Sequence, residues 1–275
     1  MHWRQYQATQ KVTEVGETFI SYAERGAGAP LVLLHGMPTW GFLWNGLIPA
    51  LERHRRMLIP DLPGFGYSDK SDRFPRSLSR QAEMLDAWLQ SLGIERADFI
   101  GHDIGGGVAL RLAAFDPARV GRLALLDTVC YDSWPTEFMA RFGHPGTDRR
   151  LSAAAALKSL RAALRPGFST LEEGLINGLL APYTTETGKL SLIRDASGMD
   201  SSLTMELVPA LPRINIPTLI VWGEQDPFAS LRYGRRLAAD LPKARLRVMS
   251  GARHFVHIDK PEEVALELEN FLRSQ

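Results

Sequence analysis

Short apolar runs recur along the chain, and stretches with helical spacing separate them. The run at residues 31–34 is continuous, which is typical of a strand buried on both faces of a parallel sheet. Further buried strands are predicted at residues 56–60, 98–100, 123–126, 218–222 and 245–249. Helices are predicted at residues 44–53, 77–92, 108–114, 231–241 and 261–272. Near the N-terminus, Gly16 and Glu17 separate two alternating segments that predict a hairpin, at residues 12–15 and 18–24.

The alternation of strands and helices stops between about residues 129 and 211. Helical patches at 153–164 and 171–180 lie there, without a clear buried strand. Strands that alternate with helices indicate an α/β fold, with a mostly parallel central sheet and helices on both faces. We therefore predict an α/β core domain over 1–128 and 213–275, and an inserted helical cap, or lid, over 129–212. Ligands of such sheets bind beyond the carboxyl ends of the strands, where the cap would close the crevice.

Composition narrows the class of protein. The 275 residues are 45% hydrophobic and 23% charged, as in ordinary globular domains, and the net charge of +1 favours neither nucleic acid nor a membrane surface as a partner. The single cysteine, Cys130, excludes an internal disulfide and a cysteine metal site. No apolar run is typical of a signal peptide or a membrane span, so we expect a cytoplasmic protein. A dinucleotide-binding glycine fingerprint and metal-ligand spacing are both missing, so we expect a small-molecule substrate and neither cofactor nor metal.

The sequence Gly-His-Asp-Ile-Gly-Gly at 101–106 lies between a predicted strand and a predicted helix. A glycine-flanked residue in this context sits on a strained turn with its side chain exposed, the arrangement called a nucleophile elbow. The third position of the motif is usually serine and here is Asp103. Asp103 is thus a candidate carboxylate nucleophile, although aspartate is also a good N-cap for the following helix.

Four motifs, in order along nearly the whole chain, resemble those of the α/β-hydrolase family: residues 35–38, 101–106, 222–226 and 251–255. An aspartate in the elbow is similar to the branch that contains epoxide hydrolases and haloalkane dehalogenases. The resemblance implies Asp103 as nucleophile, Asp226 as acid and His254 as base. It also implies an oxyanion hole built from the backbone N–H groups of Met37 and Ile104.

The chemistry of a carboxylate nucleophile suits displacement at an sp³ carbon, because aspartate is ionised near neutral pH. Attack would form an alkyl ester on Asp103, and water deprotonated by His254 would hydrolyse it. Asp226 would orient His254 and stabilise its charged form. Asp127 also ends a strand near the elbow and is an alternative acid, and His257 lies close to His254 in the sequence.

The leaving group divides the two subfamilies. Related epoxide hydrolases use lid tyrosines as donors, and the predicted cap holds Tyr131 and Tyr183, which otherwise would simply pack there with their hydroxyl groups in water. Haloalkane dehalogenases usually carry Trp after the nucleophile and often Asn after the His-Gly pair, where this chain has Ile104 and Met37. We therefore predict an epoxide hydrolase first and a haloalkane dehalogenase second. An esterase or lactonase, or a non-catalytic binding protein on the same fold, are the remaining alternatives.

The predicted substrate pocket is mostly apolar, which suits a neutral organic molecule. Its expected walls, besides the two lid tyrosines, are Met37, Trp40, Phe42, Ile104 and Trp134.

Overall fold

A computed structural model describes residues 1–273, and eight strands of this range form one sheet. The strands are β1 (Lys11–Val15), β2 (Thr18–Arg25), β3 (Ala29–Leu34), β4 (Arg55–Pro60), β5 (Ala97–His102), β6 (Val120–Leu126), β7 (Thr218–Gly223) and β8 (Ala244–Met249). Their order across the sheet is β1-β2-β4-β3-β5-β6-β7-β8. Strands β1 and β2 pair as an antiparallel hairpin, β2 also runs antiparallel to β4, and the remaining neighbours are parallel. The mostly parallel sheet predicted from the sequence is confirmed.

The central strands are apolar because they are covered on both faces. Every residue of β5 and of β7 is buried, and so are the last four residues of β3, β4 and β6. Alternate side chains of a strand point to opposite faces, so a strand that is buried throughout requires cover on both sides. The continuous apolar runs of the sequence therefore follow from this double cover.

Thirteen α-helices are present in the described range. They are α1 (Trp3–Gln7), α2 (Ile48–Leu51), α3 (Leu78–Ser91), α4 (Ile104–Phe115), α5 (Glu137–Phe142), α6 (Thr147–Arg150), α7 (Ala153–Leu164), α8 (Glu173–Leu180), α9 (Glu186–Ser197), α10 (Ser202–Met205), α11 (Leu231–Asp240), α12 (Val256–Asp259) and α13 (Pro261–Arg273). Ser77 caps α3 as predicted, accepting a hydrogen bond from the backbone N–H of Arg80.

The single long helix predicted at 44–53 is wrong. A 3₁₀ turn at Gly41–Trp44 and the short helix α2 occupy this region. Pro49 lies in the first turn of α2, where a proline is tolerated, whereas in the middle of a longer helix it would remove a hydrogen bond and clash with the preceding turn.

Six of the helices, α5 to α10, lie between β6 and β7, and the described residues between these two strands contain no further strand. We call residues 127–217 the helical segment. Across residues 1–273, no helix combines the length and the apolar character that crossing a bilayer requires.

The carboxyl ends of the parallel strands bring the sequence motifs together. The loop containing Met37 follows β3, Asp103 follows β5, Asp127 follows β6 and Asp226 follows β7. Because neighbouring parallel strands end at the same edge of a sheet, these loops converge above β5.

Candidate active site

Asp103 occupies the turn between β5 and α4 in a conformation that side chains rarely adopt, with φ 53° and ψ −123°. Several hydrogen bonds hold this backbone. The carbonyl oxygen of Asp103 accepts from the N–H groups of Gly106 and Val129, at 3.1 and 3.2 Å, and from the hydroxyl of Thr128 at 3.1 Å. Strain of this kind persists only where the surroundings determine the conformation, and it is concentrated at functional sites.

Two glycines make the turn possible because backbone passes against them. A Cβ atom on Gly101 would lie 2.5 Å from the Cα of Gly106, and one on Gly105 would lie 2.3 Å from the carbonyl oxygen of Leu34. Both distances are too short for any side chain. The glycine spacing of the motif is therefore a packing requirement of the elbow.

The two oxygens of the Asp103 carboxylate have different surroundings. Oδ1 accepts a hydrogen bond from the backbone N–H of Met37 at 2.9 Å. Oδ2 lies 3.6 Å from Nε2 of His254, within the range of an ion pair but too far for a hydrogen bond. One oxygen is thus held by the loop after β3, and the other remains free to react.

His254 and Asp226 complete the arrangement. Nδ1 of His254 donates to Oδ2 of Asp226 at 2.9 Å. The other oxygen of Asp226, Oδ1, accepts from the backbone N–H groups of Phe228 and Ala229 at 2.7 and 3.0 Å, which fixes the loop after β7. The imidazole therefore presents Nε2 to Asp103 while its Nδ1 is oriented by a carboxylate, the geometry of an acid–base–nucleophile triad.

Asp127, the alternative acid, has another partner. Its Oδ1 accepts from the backbone N–H of Gly223 at 2.7 Å, and its Oδ2 has no hydrogen-bond partner among the described residues. Burial, with the nearby charge of Asp226, raises the pKa of Asp127 well above its usual range. Among the described residues its one hydrogen bond comes from this backbone N–H, and none joins it to the imidazole of His254. The structure therefore brings Asp226, and not Asp127, onto the imidazole ring.

Charges around the histidine set the protonation states. Burial alone would lower the pKa of His254, but the two carboxylates of Asp226 and Asp103 outweigh it and raise that pKa well above its ordinary value. Burial would likewise raise the pKa of Asp103, and the adjacent charge of His254 with the Met37 N–H holds it below the ordinary value. The charges around the site thus favour the ionised form of Asp103 and the protonated form of His254.

Neighbouring histidines are neutral. His102 directs Nε2 to the backbone carbonyl of His254 at 3.0 Å, and burial lowers its pKa to about 3. Both ring nitrogens of His257 lack a partner among the described residues, and burial lowers its pKa well below the ordinary value. His102 thus supports the backbone of His254, and His257 contacts neither the carboxylate of Asp103 nor that of Asp226.

A cavity of about 230 Å³ lies above Asp103 and His254. It is mostly apolar, and within residues 1–273 only Asp103, Thr136 and His254 supply side-chain oxygen or imidazole nitrogen atoms to its wall. The wall is formed by Met37, Asp103, Val129, Trp134, Pro135, Thr136, Phe138, Met139, Ala163, Leu164, Met199, Phe228 and His254. The helical segment supplies most of these residues, so the site is enclosed between the core and that segment.

Comparison with known proteins agrees with this arrangement. A family model described as the alpha/beta hydrolase fold matches residues 29–261, which is most of the chain. The protein belongs to the α/β-hydrolase family. The fold predicted from the motif order is thereby confirmed, and the chain is a hydrolase of this fold.

Relatives of this α/β hydrolase act on more than one kind of substrate. Haloalkane dehalogenase 2 of Mycobacterium bovis is 27% identical over 263 residues, which cover 90% of this chain and 88% of that protein. A cis-3-alkyl-4-alkyloxetan-2-one decarboxylase of Shewanella oneidensis is 26% identical over 272 residues, covering 92% and 85% of the two chains. An α/β-hydrolase fold protein from Burkholderia ambifaria, whose crystal structure is known, superposes with a TM-score of 0.87 at 26% identity over 95% of this chain and 99% of that one.

Tyr131 and Tyr183, both in the helical segment, lie outside the cavity, which corrects the expectation that they line it. The hydroxyl of Tyr131 donates to Oδ2 of Asp240 at 2.6 Å. That of Tyr183 donates to the backbone carbonyl of Thr39 at 3.0 Å and accepts from the N–H of Gly66 at 3.3 Å. Each buried hydroxyl is satisfied by a partner elsewhere, so neither is presented to a ligand beside Asp103.

The predicted apolar walls are correct in part. Met37 and Trp134 line the cavity. Trp40 instead donates its indole N–H to the backbone carbonyl of Gly178, and Phe42 stacks against Trp40. Ile104 faces a separate small compartment, described below. Trp40 and Phe42 are core packing, because their large apolar surfaces fill the space between the core and the helical segment.

Several cavity residues were missed by the sequence reasoning. Phe228 lies two residues after Asp226, and its ring packs edge-on against His254 at 5.1 Å between centroids. Because it lies in the loop after β7, close to Asp226 in the sequence, it could have been predicted as a cavity residue. Thr136 follows Trp134 closely and carried a similar hint. The aliphatic residues Leu164 and Met199 gave no signal, because helical apolar positions of this kind are usually core.

Proposed function

We propose that this hydrolase cleaves a carbon–heteroatom bond at an sp³ carbon of a neutral, largely apolar small molecule through an alkyl ester on Asp103. The observation that carries the proposal is that only one of the two Asp103 carboxylate oxygens accepts a hydrogen bond. The Met37 N–H holds Oδ1 at 2.9 Å, while Oδ2 remains without a hydrogen-bond donor beside an apolar cavity. A carboxylate so placed is ionised, oriented and only partly solvated, as a nucleophile requires.

The first step is displacement. Oδ2 of Asp103 attacks the substrate carbon, a C–O ester bond forms, and the bond to the leaving group breaks with its electron pair on that group. The product ester carries no charge on Asp103. His254 then has one carboxylate neighbour instead of two, so its pKa falls and it becomes available as a base.

The second step is hydrolysis of the ester. Nε2 of His254 takes a proton from water, and the resulting hydroxide attacks the carboxyl carbon of Asp103. Charge develops on Oδ1, where the N–H of Met37 already lies, and the N–H of Ile104 at the start of α4 is the second donor that the family pattern implies. As this intermediate collapses, the bond from the carboxyl carbon to the alkyl oxygen breaks and that oxygen takes the proton held by His254, so the alcohol departs. The proton of the new carboxyl group then passes to His254, which restores the carboxylate. Asp226 stabilises the histidine while it carries the proton.

The positions of the tyrosines bear on the leaving group. Opening an epoxide produces an alkoxide, which needs a proton donor, and the hydroxyls of Tyr131 and Tyr183 are engaged elsewhere. A group that departs as a stable anion needs no such donor. The geometry therefore favours a haloalkane. The indole N–H of Trp134 is already donated to Thr204 at 2.7 Å, so it does not stabilise a departing halide. We therefore expect bromide and iodide, which are better leaving groups, to be preferred over chloride. The similarity to haloalkane dehalogenase 2 points the same way.

An epoxide hydrolase, which the sequence favoured, is the second candidate. Two observations support this second candidate. Thr136 lines the cavity, and its oxygen accepts the Met139 N–H as the cap of α5, which leaves the hydroxyl proton free to donate. The carboxylates of Asp226 and Asp103 also favour the protonated form of His254, which lies beside Asp103. In both candidates the helical segment acts as a cap that excludes water from the first step.

Trapping the ester tests the proposal. The intact mass of a His254→Gln variant is measured after incubation with a bromoalkane and, separately, with an aryl epoxide. We expect a stable adduct with the bromoalkane, accompanied by stoichiometric bromide, because displacement precedes the step that needs His254. An adduct carrying the whole mass of the epoxide, in place of the alkyl adduct, would move the protein to the epoxide hydrolases.

Matched controls locate the reaction. His257→Gln removes a buried histidine that contacts neither Asp103 nor Asp226, so it should turn over without a trapped ester. Adding Asp103→Ala to His254→Gln should abolish the adduct, and peptide mapping of the trapped protein should place it within residues 101–106. If no adduct forms on folded His254→Gln with either substrate, the ester mechanism is wrong.

A further inference from the structure

A second, much smaller compartment adjoins the catalytic cavity. Its volume is about 20 Å³, which is enough for one water molecule or one hydroxyl group. Arg76, Gln81 and Asp195 supply its polar wall, and Ile104, the residue after the nucleophile, lies on its apolar side. The compartment therefore lies at the junction of the core with helix α9 of the helical segment.

Two of the side chains that line this compartment each carry an oxygen atom without a hydrogen-bond partner among the described residues. These atoms are Oε1 of Gln81 and Oδ2 of Asp195, and both residues are only 3% exposed. The amide of Gln81 is fixed, because its Nε2 donates to the backbone carbonyl of Pro63 at 2.7 Å. Oδ1 of Asp195 accepts from Nη1 of Arg76 at 2.9 Å, which leaves Oδ2 as the unpaired atom. Buried acceptors without a donor are costly, and two at one compartment indicate that a donor belongs there.

The Arg76 side chain does not supply the missing donor. Its Nη1 also donates to the hydroxyl of Ser191 at 3.3 Å, and its Nη2 donates to the carbonyl of Ser71 at 2.9 Å. The guanidinium is therefore occupied on its own side of the ion pair. The compartment presents acceptors to whatever fills it.

Three residues, Met37, Trp134 and Met199, line both the small compartment and the catalytic cavity. Two of these are methionines, whose unbranched side chains change conformation easily. A substrate in the catalytic cavity is therefore separated from the compartment by side chains that line both, two of which can change conformation.

We propose that this compartment is a specificity subsite that receives a hydroxyl group of the substrate, whose single proton is shared between Gln81 Oε1 and Asp195 Oδ2. The inference rests on the proposed function of the adjoining cavity. It narrows the substrate class from any neutral apolar molecule to one that carries a hydroxyl group away from its reacting carbon. A site that hydrogen-bonds a hydroxyl discriminates strongly against the analogue without it, because its buried acceptors are then left unpaired.

Equilibrium binding to the wild-type protein tests the subsite without any reaction. The probes are unreactive α,ω-alkanediols of increasing chain length, each compared with its dimethyl ether, which has no hydroxyl group to donate, and tryptophan fluorescence reports binding. One diol length should bind at least about tenfold more tightly than its ether. The measurement is made above neutral pH, because burial, partly offset by Arg76, raises the pKa of Asp195 to about 7 and the ionised carboxylate is the acceptor. Equal affinities at every length would mean that the compartment holds a bound water only, and would overturn the proposal.

Asp195→Asn reverses the polarity of the subsite. The amide oxygen can still accept from Arg76, while an N–H group replaces the acceptor Oδ2. The preferred diol should lose its advantage and the ether should gain affinity. Asp72→Asn is the matched control, since Asp72 pairs with Arg194 of the same helix α9 but is largely exposed and lies outside the compartment. If Asp195→Asn does not fold, Gln81→Met removes the other acceptor and should reduce the preference for the diol.

The rate of alkylation provides a second, independent test of the subsite. Adduct formation on His254→Gln is timed with ω-bromoalkanols and with bromoalkanes of the same chain length. Faster alkylation by one bromoalkanol, lost in Asp195→Asn, supports the subsite. Alkylation at equal rates by both series overturns it and leaves the ester mechanism standing. If neither series alkylates the protein, the mechanism fails, and the binding measurements alone decide the subsite.

Discussion

Oδ2 of Asp226 lies 2.9 Å from Nδ1 of His254, so the ring is oriented by the carboxylate that follows β7. The carboxyl group of Asp127 follows the neighbouring strand β6 and instead accepts from the backbone N–H of Gly223. The same residue type at adjacent strand ends therefore has two roles, one electrostatic and one structural. This difference can be measured.

Asp226→Asn should lower the steady-state rate by about 10⁴-fold, because the amide cannot stabilise a positively charged histidine and favours the wrong tautomer. Alkylation of Asp103 should continue, so rapid-quench mass spectrometry should show the ester accumulating. Asp127→Asn is the matched control. Its carboxyl group accepts from the backbone N–H of Gly223 and makes no hydrogen bond to His254, so the rate should change by less than about tenfold. A larger loss in Asp127→Asn than in Asp226→Asn would reverse the assignment.

The two chemical steps should respond differently to pH. The pKa of Asp103 is held below its ordinary value, so the nucleophile stays ionised and the alkylation rate should be nearly constant from about pH 5 to 8. Hydrolysis needs neutral His254, so its rate should rise about tenfold per pH unit until the histidine of the ester form has lost its proton. Single-turnover kinetics separate the steps. An alkylation rate that rises with the same slope would mean that His254 must be neutral before attack.

Tyr131→Phe and Tyr183→Phe should retain activity within about tenfold, because each hydroxyl is bound to a partner away from the cavity. Their effect should be on stability. Loss of the bond from Tyr131 to the Asp240 carboxylate should cost about 1.5–3 kcal/mol of unfolding free energy. Urea unfolding and steady-state rates on a bromoalkane and an aryl epoxide measure both quantities. A loss of more than about 100-fold that is confined to the epoxide would restore the tyrosines as proton donors.

Features set by residues that are close in the sequence could be predicted from it, whereas features set by residues far apart could not. The strands and the elbow were predictable, because apolar runs and the spacing of Gly101 and Gly105 record contacts of neighbouring backbone. The partners of Tyr131 and Tyr183 were not, because Asp240 and Thr39 lie more than a hundred positions away along the chain. Only the packing of the helical segment on the core decides which way such side chains point.

Choosing between Asp127 and Asp226 shows the same limit at the site itself. Both residues end strands whose carboxyl ends meet at one edge, so the fold alone allows either. In the loop after β7, two backbone N–H groups donate hydrogen bonds to Oδ1 of Asp226. These bonds fix the carboxylate so that its Oδ2 points to His254. The resemblance to the family favoured Asp226, and the geometry agrees with that choice.

His35 should make the stability of the protein depend on pH. The ring is neutral, since Nε2 accepts from the backbone N–H of Leu62 at 2.9 Å, and burial lowers its pKa from 6.5 to about 4. A histidine with a depressed pKa contributes stability that is present above the unfolded pKa and is lost as the pH falls toward the folded one. This contribution, about 3 kcal/mol, should disappear between about pH 6.5 and 4.

Urea unfolding across this range tests the role of His35. His35→Gln cannot titrate, so its unfolding free energy should fall less than that of the wild type over the same interval, by about 3 kcal/mol. His54→Gln, at an exposed position, should leave the wild-type slope unchanged. Parallel curves for His35→Gln and the wild type would show that another group governs the loss at low pH.

Gly105→Ala tests whether the elbow depends on the close approach of the chain after β3. The new methyl group would lie 2.3 Å from the carbonyl oxygen of Leu34 and 2.5 Å from that of His35, and both are backbone atoms that cannot rotate away. We expect a loss of more than about 2 kcal/mol in unfolding free energy. Gly174→Ala in α8 is the control, since nothing lies within 4 Å of its added methyl group and alanine favours the helix by about 0.5 kcal/mol or more. Equal stability of the two variants in urea would contradict the packing requirement. Alkylation of any folded Gly105→Ala protein should also slow, because the shift moves Asp103 away from the Met37 N–H that orients it.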